Sequence, residues 1–178
     1  MVTRTINGVV LALQEGDITS VQAEAVVNAA NAALAGGGGV DGAIHRAAGP
    51  DLMAECRKIG GCPTGSAVAT SAGNLPAKYV FHAVGPIYGG RSEDQRLLRS
   101  AYQSCLDLAE QYKIKSIVFP SLSTGAYRYP LALAAPLALE TVIEHVRKPT
   151  CLQQVIFALF GRGSYQAFER ALDKLLPG

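Results

Sequence analysis

The chain has 178 residues, of which 49% are hydrophobic and 17% charged, with 16 basic against 14 acidic residues. This composition excludes a globally disordered chain, and the net charge of +2 argues against a dedicated duplex-DNA binder, which usually presents a strongly basic face. No apolar run approaches the roughly 18 residues of a membrane span, and the first residues lack a signal-peptide pattern. We therefore predict a cytoplasmic protein with no membrane partner.

Short apolar runs alternate with longer segments of helical periodicity along the chain. The strand candidates lie near residues 6–14, 24–28, 66–72, 79–84, 116–120 and 154–160. The helix candidates lie near residues 41–58, 93–112, 131–147 and 164–176. Several strands are apolar on both faces, as is typical of strands covered by helices on each side. This order predicts one three-layer α/β/α domain over residues 1–178, built around a mixed sheet.

Three local signals concern the starts of the predicted helices. Ser92 with Gln95 fits a capping box at the start of the helix near 93–112. Pro130 suits the first turn of the next helix, where a missing N–H costs nothing. Pro136 lies inside that helix, so we expect a kink there or a start one turn later.

The cysteines and histidines show no metal-binding pattern. The cysteines at positions 56, 62, 105 and 151 form no C-x-x-C pair, and the three histidines have no complementary spacing. We predict buried free thiols, no metal site and no cofactor.

The loop that follows the strand near 24–28 is rich in glycine. Gly36, Gly37, Gly38 and Gly39 are consecutive, and a helix is expected to begin near Asp41. Glycines let backbone N–H groups converge, and a helix N-terminus adds positive partial charge, so the loop is either an anion site suited to phosphate or a flexible surface loop. No Gly-Lys dipeptide occurs, which excludes a P-loop nucleotidase. The formal G-x-G-x-x-G match lies too far after its strand for a Rossmann turn.

Polar side chains flank this glycine run. Asn28 and Asn31 stand where the strand ends, and each either forms a turn or offers its amide to sugar hydroxyls. Asp41 and His45 are four residues apart and share one helix face. Either Asp41 is a plain helix N-terminal carboxylate and His45 a packed imidazole, or the two together position or deprotonate water.

A second loop, residues 120–130, follows the apolar strand near 116–120. Its Ser123, Thr124 and Gly125 offer hydroxyls and N–H groups suited to a diphosphate, and Tyr127 either lies against a sugar or closes over the pocket. Asp17, at the end of the first strand, is either part of a turn or an acceptor for an exocyclic amine such as that of adenine. Phe160 is either a core residue or a stacking surface for a base.

Six motifs together resemble the macrodomains, and among these the MacroD-type ADP-ribosyl hydrolases, also described as O-acetyl-ADP-ribose deacetylases. They are GDIT at 16–19, VNAAN at 27–31, GGGGVDGAIHRAAGP at 36–50, CPTGSAV at 62–68, HAVGPIY at 82–88 and STGAYRYP at 123–130. The resemblance covers about residues 4–176. It implies a mixed, mainly six-stranded sheet and an ADP-ribose site that needs no metal.

The resemblance also implies residue roles. Asp17 would bind the adenine amino group beside Ile18, and Asn31 would hold the distal ribose. Asp41 would orient the attacking water, with His45 in support. The diphosphate and distal ribose would be enclosed by Gly37, Gly38, Gly39, Val40, Ser123, Thr124, Gly125, Ala126 and Tyr127.

Two function classes compete with the hydrolase. A binding module that only recognises ADP-ribose would share the adenine and phosphate residues, so Asn31 together with Asp41 is what favours an enzyme. An RNA-interacting protein is disfavoured because no RNP-type aromatic motif is present. The expected partners are ADP-ribose, ADP-ribosylated proteins or O-acetyl-ADP-ribose. Arg128 departs from the glycine usual in the family at that position and adds positive charge near the site.

Overall fold

The computed structural model describes all 178 residues, and these form seven strands and five helices joined by loops. The strands are β1 (Val2–Ile6), β2 (Val9–Glu15), β3 (Ala25–Ala29), β4 (Ala67–Ser71), β5 (Tyr79–Ala83), β6 (Ser116–Phe119) and β7 (Gln154–Leu159). The helices are α1 (Gly39–Ala48), α2 (Pro50–Ile59), α3 (Ser92–Gln111), α4 (Leu131–Val146) and α5 (Arg162–Leu175). A short 3-10 turn, Ile18–Ser20, follows β2.

All strands join one mixed sheet in the order β1-β2-β7-β6-β3-β5-β4. The neighbours from β2 to β5 pair in parallel, whereas the edge strands β1 and β4 pair antiparallel to β2 and β5. Because parallel strands share one direction, β2, β3, β6 and β7 all end at the same edge of the sheet. The loops after these strands therefore meet there, as ligand crevices of α/β sheets require.

Helices cover both faces of the sheet, so the predicted three-layer architecture is confirmed. Alternate residues of the central strands face opposite layers, as their period of two dictates. Val27, Phe119 and Phe157 pack in the larger core under α3, α4 and α5. Val26 and Val118 pack in the smaller core under α1 and α2.

The first predicted strand and the first predicted helix are each divided in two. Residues 6–14 contain a hairpin turn at Asn7 and Gly8, whose φ angles are 53° and 81°, so the sheet has seven strands rather than about six. The helix predicted over 41–58 is interrupted at Gly49, whose φ is 90°. Pro50 then begins α2, because a missing N–H is harmless in the first turn.

The predicted helix starts needed two corrections. The cap of α3 is formed by Asp94 rather than by Ser92 with Gln95, because the buried Asp94 carboxylate accepts hydrogen bonds from the N–H groups of Arg91 and Gly89. Of the two alternatives for Pro136, the later start is excluded, because α4 begins at Leu131, and Pro130 lies just before the helix rather than in its first turn. The carbonyl of Pro130 accepts from Leu133 and Ala134 and so closes the first turn before Pro136 is reached.

Two further structural findings concern the cysteines and the helices. Cys56, Cys62 and Cys105 are buried free thiols, whereas Cys151 is half-buried. No helix has both the length and the apolar character needed to cross a lipid bilayer.

Candidate active site

A crevice with two connected chambers crosses the edge where the parallel strands end. The Asp17 chamber has a volume of about 440 Å³ and is lined by Gly16, Asp17, Ile18, Gly39, Val40, Ala43, Arg46, Pro120, Ser121, Thr124, Gly125, Ala158, Phe160 and Ser164. The Asp41 chamber has a volume of about 430 Å³ and is lined by Ala29, Ala30, Asn31, Gly37, Gly38, Gly39, Val40, Asp41, Gly85, Ser121, Leu122, Ser123, Gly125, Ala126 and Tyr127. Because Gly39 and Gly125 line both chambers, an extended ligand can occupy the two together.

The Asp17 chamber brings a carboxylate and an aromatic ring to the same space. Asp17 Oδ1 accepts hydrogen bonds from Thr19 N at 2.9 Å and from Thr19 Oγ1 at 2.8 Å, which fixes the carboxylate. Ile18 is buried beside it, and the Phe160 side chain is 79% exposed at the rim. Phe160 is thus a surface residue rather than the core residue that the sequence left possible, and its ring is free to cover a base.

Two stretches of free backbone N–H groups lie where the chambers meet. None of the N–H groups of residues 36–41 or 123–127 has an acceptor within the protein. The first stretch includes the start of α1, whose N-terminal partial charge favours an anion. A phosphate site was one of the alternatives that the sequence left for the first loop, and the structure brings both loops to the same crevice.

The Asp41 carboxylate is held on one side and free on the other. Its Oδ1 accepts a hydrogen bond from Asn28 Nδ2 at 2.8 Å, and His45 Nε2 lies 3.3 Å from the same oxygen. Its Oδ2 lies beside Gly37, which lines the Asp41 chamber. Asp41 and His45 therefore share one helix face, as predicted, and one carboxylate oxygen faces the chamber.

The two predicted asparagines differ in their surroundings. The Asn31 side chain donates to Gly36 O at 2.9 Å and accepts from Ala35 N at 3.0 Å, so it shapes the glycine loop while lining the Asp41 chamber. Asn28 was predicted as a ligand contact, but its side chain is fully buried and lines neither chamber. It points into the protein because its amide bonds Asp41 and His82.

Several residues near the crevice were missed by the sequence reasoning. His82 is buried next to Asn28, and Thr70 lies beyond it. Gly85 backs the second loop so closely that a Cβ atom there would lie 2.1 Å from Ser123 Oγ. The HAVGP motif contained both His82 and Gly85, but only the pairing of β5 with β3 brings them to the site.

Two basic residues lie at or near the predicted loops, Arg46 in α1 and Arg128 in the second loop. Arg46 lines the Asp17 chamber and forms no ion pair. Arg46 lies one turn after Gly42 in α1, and this spacing is the sequence feature that could have predicted its place at the crevice. Arg128 is exposed and has a φ of 61°, a left-handed conformation that glycine adopts more readily.

The mixed sheet, its two helical layers and the crevice across the ends of its parallel strands define an α/β protein of the macrodomain fold. Residues 27–138 match the Macro domain family, and this chain belongs to that family. It is 48% identical to the O-acetyl-ADP-ribose deacetylase 1 of Pantoea vagans, over 89% of this chain and 96% of the relative.

Two further proteins extend the comparison. The chain is 48% identical to the ADP-ribose glycohydrolase MACROD2 of Xenopus laevis, over 92% of this chain and 40% of that longer protein. A solved structure of a mutant Oceanobacillus iheyensis macrodomain with ADPR is 37% identical, superposes with a TM-score of 0.95, and is matched over 99% of both chains.

Proposed function

We propose that this chain is a hydrolase that removes mono-ADP-ribose from acidic protein side chains, deacetylates O-acetyl-ADP-ribose, or does both. The main support is the Asp41 carboxylate, which has one oxygen hydrogen-bonded to Asn28 and the other free, and which lies beside two loops with unpaired backbone N–H groups. The resemblance to a named O-acetyl-ADP-ribose deacetylase and to a macrodomain solved with ADPR supports the same ligand and bond.

In this proposal the ligand extends through both chambers. The adenine amino group binds the free oxygen of Asp17, with Ile18 and Phe160 against the base. The N–H groups of the two loops bind the diphosphate, and that binding energy orients the far end of the ligand. The distal ribose lies in the Asp41 chamber beside Asn31 and Tyr127.

The proposed chemical step is hydrolysis of an ester at the distal ribose. Asp41 Oδ2 orients a water molecule, whose oxygen forms a bond to the acyl carbon while the bond from that carbon to the ribose oxygen breaks. One proton of the water passes to the ribose oxygen and the other is released to solvent, so the products are ADP-ribose and a carboxylate on the protein or acetate. His45 supports the carboxylate from its other oxygen.

The deciding experiment separates binding from turnover with the variant Asp41→Ala. Its dissociation constant for ADP-ribose is expected to stay within about tenfold, roughly 1.4 kcal/mol, because the N–H groups and Asp17 remain. Hydrolysis of a protein ADP-ribosylated on acidic residues is expected to fall by orders of magnitude. Asp51→Ala is the matched control, because Asp51 is exposed in the first turn of α2 and lines neither chamber.

Two results would contradict the proposal. Unchanged turnover in Asp41→Ala would remove Asp41 from the mechanism. Tight ADP-ribose binding without turnover in the wild type would show that the chain is a binding module instead.

A panel of ADP-ribosyl esters, arginine adducts and nucleic-acid adducts then defines which linkage the enzyme hydrolyses. A cytoplasmic location, like the activity on these substrates, stays a prediction.

A further inference from the structure

A buried chain of polar side chains runs from Asp41 into the sheet. The amide nitrogen of Asn28 lies 2.8 Å from Asp41 Oδ1 and 3.1 Å from His82 Nδ1. On the other side of the ring, His82 Nε2 lies 2.9 Å from Thr70 Oγ1. Asn28 is opposite His82 in the parallel register of β3 and β5, so both side chains project from the same face of the sheet.

The donors and acceptors in this chain allow one arrangement. An amide nitrogen only donates, so Nδ1 of His82 must accept from Asn28 and carry no proton. Nε2 then carries the ring proton and donates it to Thr70 Oγ1, whose own proton goes to Ser71 O at 2.9 Å. The ring of His82 is therefore neutral and in the Nε2–H tautomer.

The surroundings of His82 favour the neutral ring. The side chain is 1% exposed, and burial, together with nearby His45, lowers the pKa of His82 to about 4. Glu55 acts in the opposite direction, and the Cys56 thiol lies 3.8 Å from Nε2. Asp41 is separated from the ring by the Asn28 amide.

The orientation of Asn28 follows from the same contacts. A reversed amide would place its oxygen 2.8 Å from an oxygen of the Asp41 carboxylate, and two acceptors at that distance repel each other. With the amide as it stands, one N–H is anchored on the ring and the other bonds Asp41 Oδ1. A hydrogen bond to an ionised acceptor is stronger than a neutral one, so it holds the carboxylate firmly.

We propose that His82 is a positioning residue for the hydrolysis: through Asn28 it fixes the rotation of the Asp41 carboxylate, so that Oδ2 faces the water in the Asp41 chamber. This role rests on the proposed function, since the carboxylate needs a set rotation only if it orients a nucleophile. His82 itself lines neither chamber and touches no substrate.

One test does not depend on turnover. Nitrogen-15 spectra of the histidine rings in the ligand-free wild type report the tautomer of His82. We expect a neutral Nε2–H ring at pH 7. An Nδ1–H tautomer or an imidazolium would overturn the proposal, even if the protein is an active hydrolase, and the result stands even if the variants below do not fold.

The kinetic test compares two nearly isosteric variants, His82→Asn and His82→Leu. The asparagine oxygen replaces Nδ1 as an acceptor for Asn28, whereas leucine offers none. We expect kcat of the leucine variant to fall on the order of 10- to 100-fold, as small misplacements of catalytic groups do. KM and ADP-ribose affinity should stay within about threefold, and His82→Asn should recover most of kcat.

The controls distinguish positioning from loss of structure. His145→Leu removes a different imidazole, which is half-buried, bonds Glu110 and lines neither chamber, and should leave kcat unchanged. Equal loss of kcat in both His82 variants, or affinity falling together with kcat, would contradict the proposal. Absence of turnover in the wild type would contradict the proposed hydrolase instead, while the tautomer spectrum would still decide the arrangement of His82.

Discussion

The crevice contains two carboxylates with different environments, and their contacts divide the proposed work between them. Asp17 is exposed, and one of its oxygens is occupied by the backbone and hydroxyl of Thr19. Asp41 is nearly buried, with one oxygen bonded to Asn28 and the other beside Gly37. The first arrangement suits recognition of a fixed donor, and the second suits orientation of a small mobile molecule.

The variant Asp17→Asn tests base recognition without removing the cap on the turn at 18–20. The asparagine oxygen can still accept from Thr19, but its NH₂ group faces the base in place of an acceptor. ADP-ribose affinity is expected to fall about tenfold or more. The analogue with inosine in place of adenosine, which offers a carbonyl oxygen, should lose less. Calorimetry with both ligands checks this, and an equal loss for both would exclude contact between Asp17 and the base.

Among the structural elements, α1 carries most of the proposed chemistry because its first turn packs directly on the glycine loop. A Cβ atom at Gly42 would lie 2.6 Å from the carbonyl oxygen of Gly37. A backbone atom cannot move aside as a flexible side chain can. The close packing of helix on loop therefore depends on the glycine at position 42.

Gly42→Ala should displace the glycine loop and weaken ADP-ribose binding by about tenfold, roughly 1.4 kcal/mol. It should also lower the free energy of unfolding, although alanine is intrinsically favoured over glycine in a helix by about 1 kcal/mol. Gly163→Ala in α5 is the matched control, because a Cβ atom there meets nothing within 4 Å. Urea unfolding and calorimetry on both variants decide the matter. Equal behaviour of the two would show that the loop adapts to the extra carbon.

Some of these helices, strands and loops could be predicted from the sequence, and others could not. The first of the two loops at the crevice was predictable because consecutive glycines and a helix start are local signals. The interruption between α1 and α2 at Gly49 and Pro50 also has a local signal, but it was not predicted. The same is true of the turn at Asn7 and Gly8. The proposed role of His82 could not be predicted from local signals, because it depends on a strand register that brings together positions 54 residues apart in the chain.

At the scale of the whole molecule, one carboxylate ties three segments together on the side of the sheet covered by α3, α4 and α5. Glu110 of α3 accepts from the Thr150 hydroxyl, from Cys151 N at 3.0 Å and from His145 Nε2 of α4 at 2.7 Å. Its partners lie in α4 and in the segment that leads into β7. The segment that leads into β7 is thus linked to the helical layer.

This cluster makes the free energy of unfolding depend on pH in the acidic range. Partial burial disfavours the charged form of Glu110, but its hydrogen bonds from Thr150, Cys151 and His145 prevail and lower its pKa from 4.5 to about 2. A pKa depressed in the folded state stabilises the protein above the unfolded value of 4.5, and this contribution is lost as the pH falls from 4.5 toward 2. Because the side chain is 34% exposed, screening reduces the contribution to about 1–2 kcal/mol.

Glu110→Gln removes the charge and one acceptor, so the variant should unfold at lower urea concentration than the wild type at pH 7. The difference in unfolding free energy, about 1–2 kcal/mol there, should narrow between pH 4.5 and pH 2, because the wild-type carboxylate becomes protonated. Glu144→Gln, on the exposed face of α4 without an ion pair, controls for the change in net charge. A difference that stays constant from pH 7 to pH 2 would mean that the hydrogen bonds of Glu110, and not its charge, join these segments.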